Sequence, residues 1–264
     1  MILRFAVMAL CFALTPLAAT ACDAISDCIV AQGTYRISLP ASAGKPIGAI
    51  VFAHGYQGSA KGTMKNKSLL KMAADRGVAL IALDAGADDW NIPNAPGEST
   101  KSRDEMAYLD AVMADAEAQF NVDPARVVIT GFSAGGMFVW NVICTRGDKY
   151  AGYIPYSGTF WKGPPDSCPA LAQNIIHIHG KADTTVPMAG RAIADTRQGN
   201  LAEVLVMYSR DKGFAPGADY AMADLTCSHS VSAADKRLDL CVFDGQHSFT
   251  SERLAAAYDV LMTR

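Results

Sequence analysis

No two of the seven cysteines stand in Cys-x-x-Cys spacing, so neither a zinc site nor a dithiol redox motif is written into the chain. No charge of one sign predominates. The 23 basic and 26 acidic residues leave a net charge of −3, which gives no reason to invoke nucleic acid or an anionic membrane surface. No internal repeat or low-complexity tract is present, and no linker splits the chain beyond its first twenty-one residues. The apolar run at residues 5–14 is too short to span a bilayer, so no membrane span is expected. What is left is a chain of 264 residues, half of them hydrophobic, enough for one α/β domain with a sizeable core.

Residues 1–21 read as a secretory signal: a basic start at Arg4, the apolar run, and the small-x-small site Ala19-Thr20-Ala21. The expected division is therefore a signal peptide at 1–21 and a single catalytic domain at 22–264, secreted or periplasmic. Cleavage there makes Cys22 the first mature residue, so lipid anchoring at Cys22 is the competing reading; Ala19 stands where bacterial lipoproteins usually carry leucine. Cysteine parity argues the other way. Six cysteines remain, and in an exported chain they suggest three disulfides, with nearest neighbours paired: Cys22–Cys28, Cys144–Cys168 and Cys227–Cys241.

Hydrophobic patterning then alternates strand with helix. An alternating stretch at 33–39 reads as an early edge strand, and the continuous apolar run at 47–53 as a strand buried on both faces. Asn66 caps a helix that stops at Arg76-Gly77, and 78–83 is the next strand. A Gly-, Asp-, Asn- and Pro-rich loop spans 84–100, followed by an amphipathic helix at 102–120. Further strands are expected at 127–130, 152–157, 175–178, 202–207 and 238–243. The stretch 211–227 looks irregular, and a serine-capped helix closes the chain at 251–262. The order predicts an α/β fold, a mainly parallel doubly wound sheet with helices on both faces.

The chemistry gathers around Gly131-Phe132-Ser133-Ala134-Gly135. This pattern lies between a β-branched run and a helical one, which is the setting of a nucleophile elbow. The turn is too tight for side chains two places either side of the serine, and it forces Ser133 into a strained conformation with its hydroxyl exposed. A serine hydroxyl needs a base, and in this arrangement the chain order is nucleophile, acid, histidine. His247 follows the last strand and precedes the last helix, where that histidine belongs; His229 is the reserve. Asp183 follows the 175–178 strand at the same sheet edge, ahead of Asp166 and Asp195, the latter expected on a helix surface. His54 is better placed to shape the oxyanion loop. His177 and His179 read as core or loop-supporting residues on opposite sides of their strand. The oxyanion donors are expected to be the N–H groups of Ala134 and Tyr56, with Gln57 next. Trp90, Trp161 and Phe214 are candidate walls of a substrate cleft.

The set His54-Gly55, Gly131 to Gly136, His179-Gly-Lys-Ala-Asp183-Thr-Thr-Val-Pro187 and Gly245-Gln-His247 resembles the secreted esterases grouped with polyhydroxybutyrate depolymerases and feruloyl or acetylxylan esterases. The segment 122–133 and the helix opening Arg103-Asp104-Glu105 are similar to that family too. Where its polymer-degrading members usually carry a cysteine after His-Gly, this chain has Tyr56. The resemblance implies the α/β-hydrolase fold, Ser133, Asp183 and His247 as a triad, and serine-ester hydrolysis without metal or cofactor on a small-molecule or oligomeric ester. Two other readings stay open: a serine peptidase of the prolyl-oligopeptidase type, and a catalytically silent binding protein on the same fold.

Overall fold

The computed structural model describes residues 22–41, 46–86, 88–97 and 102–263. The expected signal peptide at 1–21 lies outside the described residues, as does part of the 84–100 loop.

Seven short stretches supply the first half: strands β1 (Cys28–Val30), β2 (Gly33–Ser38), β3 (Ile47–Ala53) and β4 (Ala79–Leu83), and helices α1 (Ala60–Thr63), α2 (Lys67–Asp75) and α3 (Glu105–Phe120). Strand β5 (Val122–Phe132) enters α4 (Ala134–Arg146), followed by β6 (Gly152–Tyr156) and β7 (Ile175–Gly180). A small hairpin, β8 (Ala192–Ile193) and β9 (Thr196–Arg197), precedes α5 (Leu201–Lys212). Strands β10 (Phe214–Pro216), β11 (Tyr220–Met222), β12 (Leu225–Ser232) and β13 (Arg237–Phe243) lead to α6 (Ser251–Met262).

The main sheet runs β1-β2-β4-β3-β5-β6-β7-β13-β12-β10, with β11 also on β12. Its centre, β4 to β13, is parallel throughout. The flanks are antiparallel: β1 and β2 at one end, β10, β11 and β12 at the other. The doubly wound expectation therefore holds for the centre of a mixed sheet.

Residue alternation shows why both faces are covered. Ala49 and Val51 of β3, Ile81 of β4 and Ile129 of β5 pack under α3, α4 and α5. Their neighbours Ile50, Leu80 and Val128 pack on the opposite face, under α1, α2 and α6. Strands two-sided in this way must read as continuous apolar runs. Helix ends follow the polar residues beside them: Asn66 caps α2 through Leu69 N–H, and Asp104 caps α3 through Met106 and Ala107 N–H.

Several expectations are corrected. Strand β2 is not an edge, because the Cys22–Cys28 bridge anchors β1, which pairs outside it. Residues 202–207 form part of helix α5, not a strand. Leu201, Val204, Met207 and Tyr208 recur at helical spacing on its buried face, Asn200 caps it, and Gly213 closes it in the left-handed region. The 211–227 region carries strands β10 and β11 and the start of β12. The cap of α6 is Thr250, one residue earlier than expected. Asp195 lies in the turn of the β8–β9 hairpin rather than on a helix. All three disulfides pair nearest neighbours.

Candidate active site

Strand β5 delivers Ser133 to the carboxyl edge of the sheet. Its backbone adopts φ 59° and ψ −120°, a conformation that costs of order 1–3 kcal/mol for a non-glycine residue. Two glycines make the turn possible. A Cβ on Gly135 would lie 2.5 Å from the Ala53 carbonyl carbon, and one on Gly131 would lie 2.5 Å from that of Gly135. Ser133 N–H donates to the Tyr156 carbonyl at 2.9 Å, tying the turn to β6. Ser133 also occupies the N-cap of α4 without using its side chain as a cap. The hydroxyl is left for chemistry at the positive end of the helix.

Asp183 leaves β7 on a tight loop. Its Oδ1 accepts the N–H groups of Thr185 (2.9 Å) and Val186 (2.8 Å), and its Oδ2 accepts from His247 Nδ1 at 2.6 Å. The carboxylate is fully enclosed while the His247 ring keeps a small exposed edge. Nδ1 is thereby committed as the donor, leaving Nε2 as the basic atom. The imidazole packs at a tilt against Phe132, the residue before Ser133, with ring centroids 4.6 Å apart. Its loop packs on Gly180, where a Cβ would stand 2.5 Å from the Gln246 carbonyl oxygen. Among the described residues the Ser133 hydroxyl forms no hydrogen bond.

The loop expected to supply an oxyanion donor follows β3. His54 Nδ1 donates to the Gly55 carbonyl at 2.8 Å, and His54 Nε2 accepts the Ala85 N–H at 3.1 Å. The Trp90 indole N–H donates to the His54 carbonyl at 2.8 Å. Burial holds His54 below the ordinary imidazole range, so it stays neutral and keeps this tautomer. Gln57 N–H is taken by the Asp88 carbonyl at 2.7 Å, which removes Gln57 as an oxyanion donor. The N–H groups of Tyr56 and Ala134 have no protein acceptor among the described residues. Both residues line, with Ser133, a cavity of about 740 Å³.

That cavity separates the three aromatic candidates. Trp161 lines it. Trp90 does not: it is fully buried beneath the loop, packed between His54 and Phe138, because its indole is needed to hold the His54 carbonyl. Phe214 does not either. It starts edge strand β10, packs at a tilt against Tyr208 of α5, and faces a different groove. The residues not foreseen on the cavity wall include Met137, Thr185, Val186, Arg191 and Gln198. Thr185 and Val186 stand in the His179–Pro187 motif next to Asp183; Met137, Arg191 and Gln198 stand in none.

The remaining histidines sort by their partners. His229 is bound to Asp239 at 2.6 Å, in a cluster with Arg237 and Tyr220 midway along β12 and β13, away from Ser133. His177 and His179 share one face of β7, not opposite faces, since side chains two apart on a strand point the same way. Their rings stack, and they form a directed chain. The Trp140 indole donates to His177 Nδ1 at 3.2 Å, His177 Nε2 then donates to His179 Nδ1 at 2.9 Å, and His179 Nε2 donates to the Val186 carbonyl at 2.8 Å. An indole N–H can only donate, which fixes the direction of every bond. Burial depresses both imidazoles below their ordinary range, His177 most strongly. The chain ends on the loop that holds Asp183.

The family described as phospholipase/carboxylesterase matches residues 86–207. NocK of Nocardia uniformis subsp. tsuyamanensis, a protein assigned as an esterase, is 31% identical over 153 residues, 57% of this chain and 44% of that protein. Feruloyl esterase C of Emericella nidulans is 29% identical over 94 residues, 36% of this chain and 34% of its own. The matched part therefore spans less than half the length of both relatives. The acetyl xylan esterase from Aspergillus awamori superposes with a TM-score of 0.62 at 12% identity, over 92% of this chain and 97% of that one. With a parallel-centred sheet, helices on both faces and a Gly-x-Ser-x-Gly turn at its carboxyl edge, the chain has the α/β-hydrolase fold, and part of its sequence is similar to esterases.

Proposed function

We propose that the chain is an exported serine carboxylic-ester hydrolase that works through an acyl-enzyme. The observation that carries this reading is the 2.6 Å Asp183–His247 pair, set on the ring beside a strained serine whose turn opens into a deep cavity.

In this mechanism Ser133 Oγ gives its proton to His247 Nε2 and attacks the ester carbonyl. Asp183 keeps Nδ1 protonated and stabilises the imidazolium as it forms. The developing oxyanion is received by Tyr56 and Ala134 N–H, each such donor being worth about 3 kcal/mol in the transition state. His247 then protonates the leaving alcohol. Water, activated by the same imidazole, releases the acid and restores the hydroxyl. The two N–H groups, the helix end and the imidazole are positioned in advance, so little reorganisation is needed at the moment of reaction.

The finer reading is an enzyme of the polyhydroxybutyrate depolymerase-like or feruloyl/acetyl esterase-like kind, acting outside the cytoplasm. Three disulfides and the kinship with feruloyl esterase C support it. Among the described residues no helix is long and apolar enough to cross a membrane. A panel of short-chain acyl, 3-hydroxybutyrate-oligomer and hydroxycinnamoyl esters, run beside a chromogenic peptide, tests the assignment. Ester turnover without peptide cleavage supports it; peptide cleavage alone contradicts it in favour of a peptidase, and no turnover in favour of a silent binding protein.

A further inference from the structure

One wall of the Ser133 cavity carries a polar group with nothing to bind. Gln198 is 4% exposed, lines the cavity, and its amide oxygen is buried without a hydrogen-bond partner. A buried acceptor left unpaired keeps its full desolvation cost, so such a group in a cleft marks a place where a ligand completes the bonding. Its surroundings are built rather than loose. Trp161 and Gln198 face each other across an antiparallel bridge, which is flanked by Lys162 N–H to the Arg197 carbonyl at 2.6 Å and Gly199 N–H to the Phe160 carbonyl at 2.8 Å. Residues directly opposite in such a bridge project their side chains to the same side. Both line the same cavity, so an indole and an amide stand side by side there. Gly190 closes the segment from behind: its φ is +71°, and a Cβ on it would lie 2.8 Å from the Gly199 carbonyl oxygen. Met137, Val186 and Ile193 give the cavity an apolar lining, and Asp88, Asp89, Thr185 and Arg191 add polar groups elsewhere on its wall.

We infer that Gln198 is a specificity-determining residue whose amide carbonyl accepts a hydrogen bond from a hydroxyl on the substrate, with the carbon frame of that substrate lying against Trp161. This rests on the ester-hydrolase reading and narrows it to hydroxyl-bearing esters. The selected feature is a donor, because the unpartnered atom is an acceptor. A site built to bond a hydroxyl discriminates strongly against the analogue lacking it, since the amide then stays buried and unpaired in the complex.

Matched ester pairs test the inference: p-nitrophenyl 3-hydroxybutyrate against p-nitrophenyl butyrate, and methyl 4-hydroxycinnamate against methyl cinnamate. The parent enzyme is expected to favour the hydroxylated member of at least one pair by tenfold or more in kcat/KM. In Gln198→Leu that ratio should fall towards one, whatever the absolute rates. Gln198→Glu, which keeps an acceptor, should retain the preference, a result that a merely structural role would not produce. Near-UV circular dichroism and a melting curve establish that each variant is folded. Equal turnover of both members by the parent enzyme overturns the assignment of Gln198 and leaves the ester-hydrolase reading standing. Retention of the full preference in a folded Gln198→Leu does the same. No turnover of any of the four esters by the parent enzyme contradicts the hydrolase reading, and this inference with it.

Discussion

Acid should destabilise this protein well before its carboxylates are protonated, because three imidazoles are buried in the neutral form. His177 and His179 are fully enclosed in the chain from Trp140 to Val186, and His54 is nearly so in the loop after β3. Desolvation lowers all three below the unfolded-chain value of about 6.5. Below pH 6.5 the unfolded chain therefore binds protons that the folded chain refuses, and stability falls with decreasing pH until the folded values are reached. A histidine that stays neutral in the fold removes about 1.3 kcal/mol between pH 7 and 5.5; His177, the most strongly depressed, approaches that figure, and three such groups set an upper bound of about 4 kcal/mol. That is a large share of the roughly 5–15 kcal/mol that holds an ordinary domain together. Urea unfolding with the disulfides intact, at pH 7 and pH 5.5, measures the difference directly. His177→Gln isolates one contributor. The variant should be less stable at pH 7, through lost bonding to Trp140 and His179, yet lose about 1.3 kcal/mol less on acidification. Equal stability of the parent at the two pH values, or the same acid loss in the variant, would refute the reasoning.

Asp183→Asn should leave the fold near native but cut kcat by about four orders of magnitude, since the amide no longer fixes the His247 tautomer; steady-state rates on a p-nitrophenyl ester check this. Gly135→Ala should abolish activity and lower the melting temperature, because the new methyl group collides with the Ala53 carbonyl. Cys227 and Cys241 are cross-strand partners on β12 and β13, and β13 feeds the His247 loop. Replacing both with serine should cost about 3 kcal/mol, the figure expected for a bridge closing a loop of about 15 residues, with activity lost at lower temperature than near-UV circular dichroism. Simultaneous loss of the two signals would count against a local effect.

What could be foreseen in the sequence was whatever sterics or strand order dictate. Gly131 and Gly135 stand where no side chain fits, and Asp183 and His247 follow strands that a parallel sheet must end at one edge. The disulfides followed from proximity along the chain. The failures have equally physical causes. Residues 202–207 are rich enough in valine and leucine to pass for a strand, and only the burial of Leu201, Val204, Met207 and Tyr208 reveals the helical period. Trp90 and Phe214 illustrate a different gap: an aromatic in a loop looks the same in sequence whether it faces substrate or core, and here both belong to packing. Gln198 carried no signal at all, since its place on the cavity depends on a single bridge to a residue 37 positions earlier.

The central claim is that Ser133 is a nucleophile made reactive by His247 and Asp183. Intact-mass and peptide mapping after treatment with a fluorophosphonate probe tests it most directly. The account predicts one adduct, on the peptide bearing Ser133, absent in Ser133→Ala and formed at least a hundredfold more slowly in His247→Ala. An adduct on another residue, or labelling of Ser133 at an undiminished rate without His247, would contradict it.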